Sequence, residues 1–177
     1  VTVAKDVKLQ LDFNPARVKG YRLIGYEDRV MAAEDFADDT KDGGEIGSGH
    51  RVTALYEIVP AGSSFDFGAA ESKYQTAGDT GSGEWLTLNI RAKAPEGEES
   101  RLYTYPLTGE VSETFSDNMK FAAAVAEVSM VLRDSPWKGT SSCGNALTLL
   151  RSCGSVTGDP YKEEFLYMVT LLERQGK

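Results

Sequence analysis

The densest group of side chains that could carry chemistry lies in residues 27–45. Eight acidic residues there stand against Arg29 and Lys41, so the segment contributes −6 of the chain's net charge of −8. Clustered carboxylate oxygens are the ligands that Ca²⁺ prefers, but the spacing does not match an EF-hand loop. A solvated, charged connection is the competing interpretation, and we assign no metal ligand. The acidic residues of the second half form a candidate binding patch: Asp38, Asp39, Asp42 and Glu45.

A second candidate is Asp79, which opens the string Asp-Thr-Gly-Ser over residues 79–82. This string is typical of aspartic proteases, in which two carboxylates share one proton and activate a water molecule. The sequence holds no second copy, and residues 75–78 are not the apolar strand that would hold the carboxylate in place. An aspartyl-type hydrolase using Asp79 therefore stays an alternative function.

The single histidine and the two cysteines do not suggest another catalytic set. His50 would have to serve any nucleophile relay, but the sequence has no Gly-x-Ser-x-Gly elbow. We expect His50 to fix a loop at the start of a strand. If the residues between Cys143 and Cys153 are helical, their Cα atoms lie about 15 Å apart, and a disulfide needs less than about 7 Å. We therefore expect two free thiols, no catalytic residue and no cofactor.

Composition limits the classes of protein further. The chain has 177 residues, of which 41% are hydrophobic and 26% are charged, as in globular domains. Its pI near 4.8 disfavours nucleic-acid binding, which needs a basic face. No apolar run approaches the roughly 18 residues of a transmembrane helix, so we expect no membrane insertion of this chain. Because the sequence starts at Val1 without a leader, we expect a piece of a longer protein.

The pattern of apolar residues predicts strands first and helices afterwards. Alternation with period two, bounded by turn residues, indicates an antiparallel sheet or sandwich, with a short helix over 30–36. The Gly-rich residues 43–49 precede a strand instead of joining a strand to a helix, so a nucleotide cradle is not predicted. The predicted strands are Val7–Phe13, Gly20–Tyr26, Arg51–Val59, Trp85–Ala92 and Arg101–Leu107.

After residue 116 the period changes to that of helices. We predict a first helix capped by Ser116 or Asp117, a second over 142–152, and a third capped by Asp159 with Pro160 at its first position. The first helix is expected to bury a wide stripe from Met119 to Leu132 that includes Val125. The fold class is therefore α+β, with a β-rich sandwich-like region over 1–112 and a three-helix region over 113–177, packed as one module.

Several segments give a family resemblance that covers nearly the whole chain. The sequence resembles the C-terminal domain, of unknown function, of bacterial von Willebrand factor type A proteins. Departures fall in residues 62–84 and 139–158. The segments that carry the resemblance are Ala4–Lys8, Phe13–Pro15, Tyr21–Glu27, Glu34–Phe36, Gly44–Gly47, Val52–Glu57, Lys93–Gly97, Phe121–Glu127 and Leu132–Ser135.

The resemblance implies a multidomain protein of the cell envelope, periplasmic or exposed at the surface, and often a lipoprotein. Its metal-ion-dependent adhesion site would lie in the upstream domain, whose Asp-x-Ser-x-Ser motif is absent here. We therefore expect a non-catalytic accessory module that supports protein–protein or adhesion function. Its partners would be the upstream von Willebrand factor type A domain and an unidentified protein. A calcium-stabilised adhesion module is the first alternative.

Overall fold

A computed structural model of the chain describes residues 1–26, 30–66 and 83–176. The chain divides into two compact units, Val1–Glu110 and Val111–Lys177. The described strands lie in the first unit, and the described α-helices lie in the second. The predicted α+β class is confirmed.

The described residues of the first unit, here called the sheet unit, form two antiparallel sheets. One has four strands in the order β3-β1-β5-β6, and the other pairs β2 with β4. The short helix predicted over 30–36 is a 3-10 helix over Ala33–Ala37. The strands that the structure describes are β1 (Thr2–Phe13), β2 (Val18–Ile24), β3 (Gly44–Gly47), β4 (Leu55–Pro60), β5 (Glu84–Lys93) and β6 (Ser100–Thr108).

Strand β3 was not predicted, because its pairing depends on one glycine and on an irregularity in β1. The register between β1 and β5 shifts between Lys5 and Lys8, and Asp6 there has a φ of 55°. Gly43 approaches this point so closely that a Cβ would lie 2.8 Å from the Asp6 carbonyl carbon. Part of the Gly-rich stretch, Gly44–Gly47, therefore forms strand β3 beside β1. Strand β4 begins at Leu55, so the predicted start at Arg51 was wrong.

The helical unit is built from α1 (Asp117–Leu132), α2 (Cys143–Arg151) and α3 (Pro160–Arg174). Each helix begins at a side chain that accepts a hydrogen bond from a free backbone N–H of the first turn. Ser116 accepts from the Met119 N–H in α1. Asp159 accepts from Tyr161 and Lys162, and Pro160 occupies the first turn of α3. These predicted helix starts are confirmed.

The main cluster of buried apolar side chains lies among the three helices. Its largest fully buried members are Leu150, Val169 and Cys143. The wide stripe predicted on α1 was partly wrong, because Val125 and Leu132 are exposed. The face of α1 that meets this core consists of Phe121, Ala124, Val128 and Val131. Within the described residues, no helix is both long and apolar enough to cross a membrane.

Candidate interaction surface and the acidic segment

One face of the four-stranded sheet carries three cations, and residues 35–39 of the acidic segment (residues 27–45) lie against them. Lys8 pairs with Arg91, and Lys93 lies two residues further along β5, so their side chains share this face. Lys8 is only 4% exposed, and its Nζ donates to the carbonyl oxygen of Asp38. Lys93 is 8% exposed and donates to the carbonyl oxygen of Asp39 over 3.0 Å. The acidic segment is therefore fixed to the sheet through its backbone as well as its charges.

Asp6 completes this attachment from the bulge in β1. Its Oδ2 lies 2.5 Å from Lys93 Nζ, and its Oδ1 accepts the Gly43 N–H over 2.8 Å. The hydrogen bond from Lys93, helped by that from Gly43, lowers the pKa of Asp6 to about 2. The same bond raises the pKa of Lys93. Asp6 and Lys93 thus form a nearly buried ion pair that links β1, β5 and the start of β3.

The first two residues of the predicted acidic patch are engaged within the unit. Asp38 Oδ1 accepts from the Thr40 hydroxyl over 2.7 Å and from the Thr40 N–H over 2.9 Å, and these bonds lower its pKa. Asp39 Oδ2 accepts the Ser100 N–H over 3.3 Å, and hydrogen bonding to Ser100 lowers the pKa of Asp39. Its Oδ1 lies 3.7 Å from a nitrogen of Arg91. Both carboxylates have structural partners.

The other two residues of the patch, Asp42 and Glu45, are exposed. Across 1–26, 30–66 and 83–176, no group of three or more His, Cys, Asp or Glu side chains could hold a metal ion. The structure therefore does not bring the four acidic residues together as one ligand set. Binding of a partner by the exposed members stays a prediction.

The remaining candidate residues lie apart. His50 is exposed, and its backbone N–H donates to the Gly47 carbonyl oxygen over 3.0 Å, in the turn after β3. Asp79 lies outside the described residues, so the hydrolase hypothesis stays a prediction. Cys143 and Cys153 are free and buried. Burial, and secondly the charge of Glu173, raises the pKa of Cys143, which disfavours the reactive thiolate.

Sequence reasoning missed Glu127 in α1. Its Oε2 is a buried atom that has no hydrogen-bond partner within the part of the chain that the structure describes. Burial raises the pKa of this carboxyl, and a hydrogen bond with Ser141 opposes the increase. The side chain falls on the polar side of the predicted helical stripe, so its partial burial gives no signal in the sequence. This burial disfavours the charged form of the Glu127 carboxyl.

The opposite face of the four-stranded sheet is apolar. Side chains on one face of paired strands lie in cross-strand rows. The register places three such rows across β1, β5 and β6, on the face opposite to Lys8 and Arg91. They are Leu9–Ile90–Tyr103, Leu11–Leu88–Tyr105 and Phe13–Leu86–Leu107.

Within the described residues, the second sheet contacts this apolar face at Phe13 of β1. The Phe13 ring stacks on Tyr21 with 3.9 Å between ring centroids and lies 5.7 Å from Tyr56. Leu86, in the same row, is 8% exposed. We name the uncovered part the open patch, and its members are Leu9 (51% exposed), Tyr103 (45%), Tyr105 (54%) and Leu107 (54%).

The alternation of Tyr103, Tyr105 and Leu107 within a predicted strand was a usable signal, because it marks one apolar face. The sequence could not show that the described residues leave part of this face uncovered, since this depends on where β2 and β4 lie. An exposed group of aromatic and aliphatic side chains on one face is typical of an interaction surface. The open patch is therefore the candidate functional site.

Comparison with known proteins gives a family without an assigned activity. The model of the family described as "Uncharacterized protein YfbK, C-terminal" matches residues 1–174. The chain is 36% identical over 177 residues to the uncharacterized protein YfbK of Escherichia coli strain K12. This alignment covers 98% of the chain and 30% of that relative, so the chain spans less than a third of the relative's length. No solved structure matches the chain.

Proposed function

Because the chain belongs to the family of YfbK C-terminal domains, we propose that it is a non-catalytic accessory module of a larger bacterial protein. In this role it supports a neighbouring domain, and the resemblance of residues 4–57 and 93–135 favours a von Willebrand factor type A domain as that neighbour. The parent protein would then belong to the cell envelope, where the neighbouring domain performs adhesion or another protein–protein function.

The open patch is the observation that carries this proposal. Four large side chains on one sheet face are about half exposed, so covering each would contribute about half of the roughly 1.5–3 kcal/mol gained by burying a fully exposed large apolar side chain. A surface of this kind is stabilised when another protein surface covers it. Catalysis instead needs converging acids, bases or nucleophiles. In the sheet unit, the opposite charges of Asp6 and Lys93 compensate each other in a nearly buried ion pair.

Calorimetry of the complete protein tests the accessory role. Three samples are compared: the complete protein, the part that precedes this chain, and this chain alone. If the module supports its neighbour, removing it lowers the melting temperature of the preceding part by several degrees, since a bound partner stabilises the native state. Independent melting of the two separated parts at the same temperatures as in the complete protein would contradict the proposal. Hydrolytic turnover by this chain alone would also contradict it.

A further inference from the structure

We propose that the open patch is the docking site for the part of the polypeptide that precedes this chain in the larger protein. This inference rests on the proposed function, because it takes the chain to be one module of a longer polypeptide. It adds the surface by which the module contacts its neighbour and the chemistry of the segment that covers that surface.

The size of the open patch suits one element of secondary structure. From Tyr103 to Leu107 along β6 the patch extends about 13 Å, at about 3.3 Å per residue. From β6 across β5 to Leu9 on β1 it is about 10 Å wide, or two strand spacings. A helix with its side chains has a diameter of about 10–12 Å. One amphipathic helix, or a similarly wide pair of strands, would cover the patch.

The chemistry of the patch defines the segment that would cover it. Tyrosine and leucine offer a broad apolar surface, and each tyrosine adds a hydroxyl group at its outer end. Arg101 pairs with Ala92 one row beyond Ile90 and Tyr103, and it is exposed. A complementary segment would be apolar at its centre, with a carboxylate or another acceptor beside Arg101. Aromatic residues and arginine are enriched in such contacts.

The preceding part of the polypeptide is favoured over a second copy of this chain. The relative from Escherichia coli extends well beyond the aligned region, because the alignment covers only 30% of that relative's length. The matching family is described as the C-terminal part of YfbK, so the additional length of that relative lies before the matched region. Each copy of this chain also carries a net charge of −8, so two copies repel one another. A preceding domain in the same polypeptide has a high effective concentration at the patch.

Hydroxyl-radical footprinting of the complete protein, read by mass spectrometry, tests this docking. Tyr161 on α3 is 83% exposed and serves as the internal reference for Tyr103 and Tyr105. In this chain alone, the two patch tyrosines should react within about twofold of Tyr161, because they are about half exposed. In the complete protein they should react at least about fivefold more slowly than Tyr161, because interface cores exclude solvent.

A pair of matched variants shows whether docking causes the protection. Tyr105→Glu places a charge in the open patch and should return the Tyr103 rate in the complete protein to its rate in this chain alone. Tyr161→Glu introduces the same change at the reference site on α3 and should leave Tyr103 protected. Because this substitution removes the reference tyrosine, the exposed Tyr167 becomes the reference for the Tyr103 rate in the Tyr161→Glu protein.

Three results would overturn the inference. Equal reactivity of Tyr103 in the complete protein and in this chain would show that the preceding part of the polypeptide does not cover the open patch. Protection already present in this chain alone would show that another part of the chain covers it. Protection that grows with concentration, together with a doubled mass in light scattering, would assign the patch to a second copy. In each case the calorimetric coupling of the proposed function could still be present, so the two failures are distinguishable.

Discussion

Replacing Asp6 by asparagine tests whether the Asp6–Lys93 pair holds the acidic segment on the sheet. Asparagine keeps the size of the side chain and an oxygen that can accept the Gly43 N–H. It also tolerates the φ of 55° at this position better than most residues do. The substitution therefore removes mainly the negative charge facing Lys93.

The expected loss follows from the geometry and the pKa. A charge-assisted hydrogen bond contributes about 1.5–3 kcal/mol to stability. Folding lowers the Asp6 pKa from 3.8 to about 2. Each unit of pKa difference between the unfolded and the folded state corresponds to about 1.4 kcal/mol of stability. Both arguments give a decrease of about 2 kcal/mol in the unfolding free energy of the sheet unit at pH 7. The Asp6 side chain is 14% exposed, so solvent screening reduces this figure only modestly.

The pH dependence follows from the direction of the pKa change. The folded pKa of Asp6 lies below its unfolded value, so the ion pair contributes fully above about pH 4 and loses its contribution as pH falls towards 2. The difference between wild-type protein and Asp6→Asn should therefore be largest at pH 5–7 and nearly absent at pH 2.

Urea unfolding followed by tryptophan fluorescence measures this difference. Trp85 lies in β5, whereas Trp137 lies in the helical unit and is 58% exposed. In a Trp137→Phe background, fluorescence reports on the sheet unit alone. Glu57→Gln is the matched control, since its pair with Arg22 is more exposed and should contribute less than about 1 kcal/mol. The reasoning is refuted if Asp6→Asn costs no more than Glu57→Gln, or if its effect is the same at pH 2 and pH 7.

The remaining predictions concern other features of the structure. Glu127→Gln should stabilise the helical unit by on the order of 1 kcal/mol at pH 8. The raised pKa of Glu127 means that wild-type protein gains stability as pH falls, so this advantage should disappear near pH 4 in urea titrations. Gly43→Ala should destabilise the sheet unit, because its Cβ would lie 2.8 Å from backbone; unchanged Trp85 unfolding would contradict the close approach. Leu150→Ala, at a site 1% exposed, should cost about 2–5 kcal/mol in thermal or urea unfolding. Leu132→Ala, at a site 54% exposed, should cost under about 0.5 kcal/mol, and equal costs would mean that the wide α1 stripe is buried after all. Millimolar calcium should shift the melting temperature by less than about 1 °C relative to chelator, whereas a shift of several degrees would support the calcium-stabilised alternative.

The class of the fold and the starts of the helices were accessible from sequence because they depend on neighbouring residues. Ser116 and Asp159 satisfy N–H groups within three residues of themselves, so their types and positions suffice to place the helix starts. Period-two alternation identified five of the described strands in the same way. The acidic segment was found as a run of charge, but its role was not, because its partners Lys8 and Lys93 lie far away in sequence.

The amino-acid sequence by itself determined where five of the six described strands and the three helices lie, where the helices are capped, and that the net charge is acidic. Tertiary structure decided that Lys8 and Lys93 are buried, that Gly43 must be a glycine, and that the open patch lacks a cover among β2 and β4. These features depend on strand register and sheet placement, which join residues tens of positions apart. A one-residue change in register would move every side chain of a strand to the other face, so composition and local pattern cannot specify them.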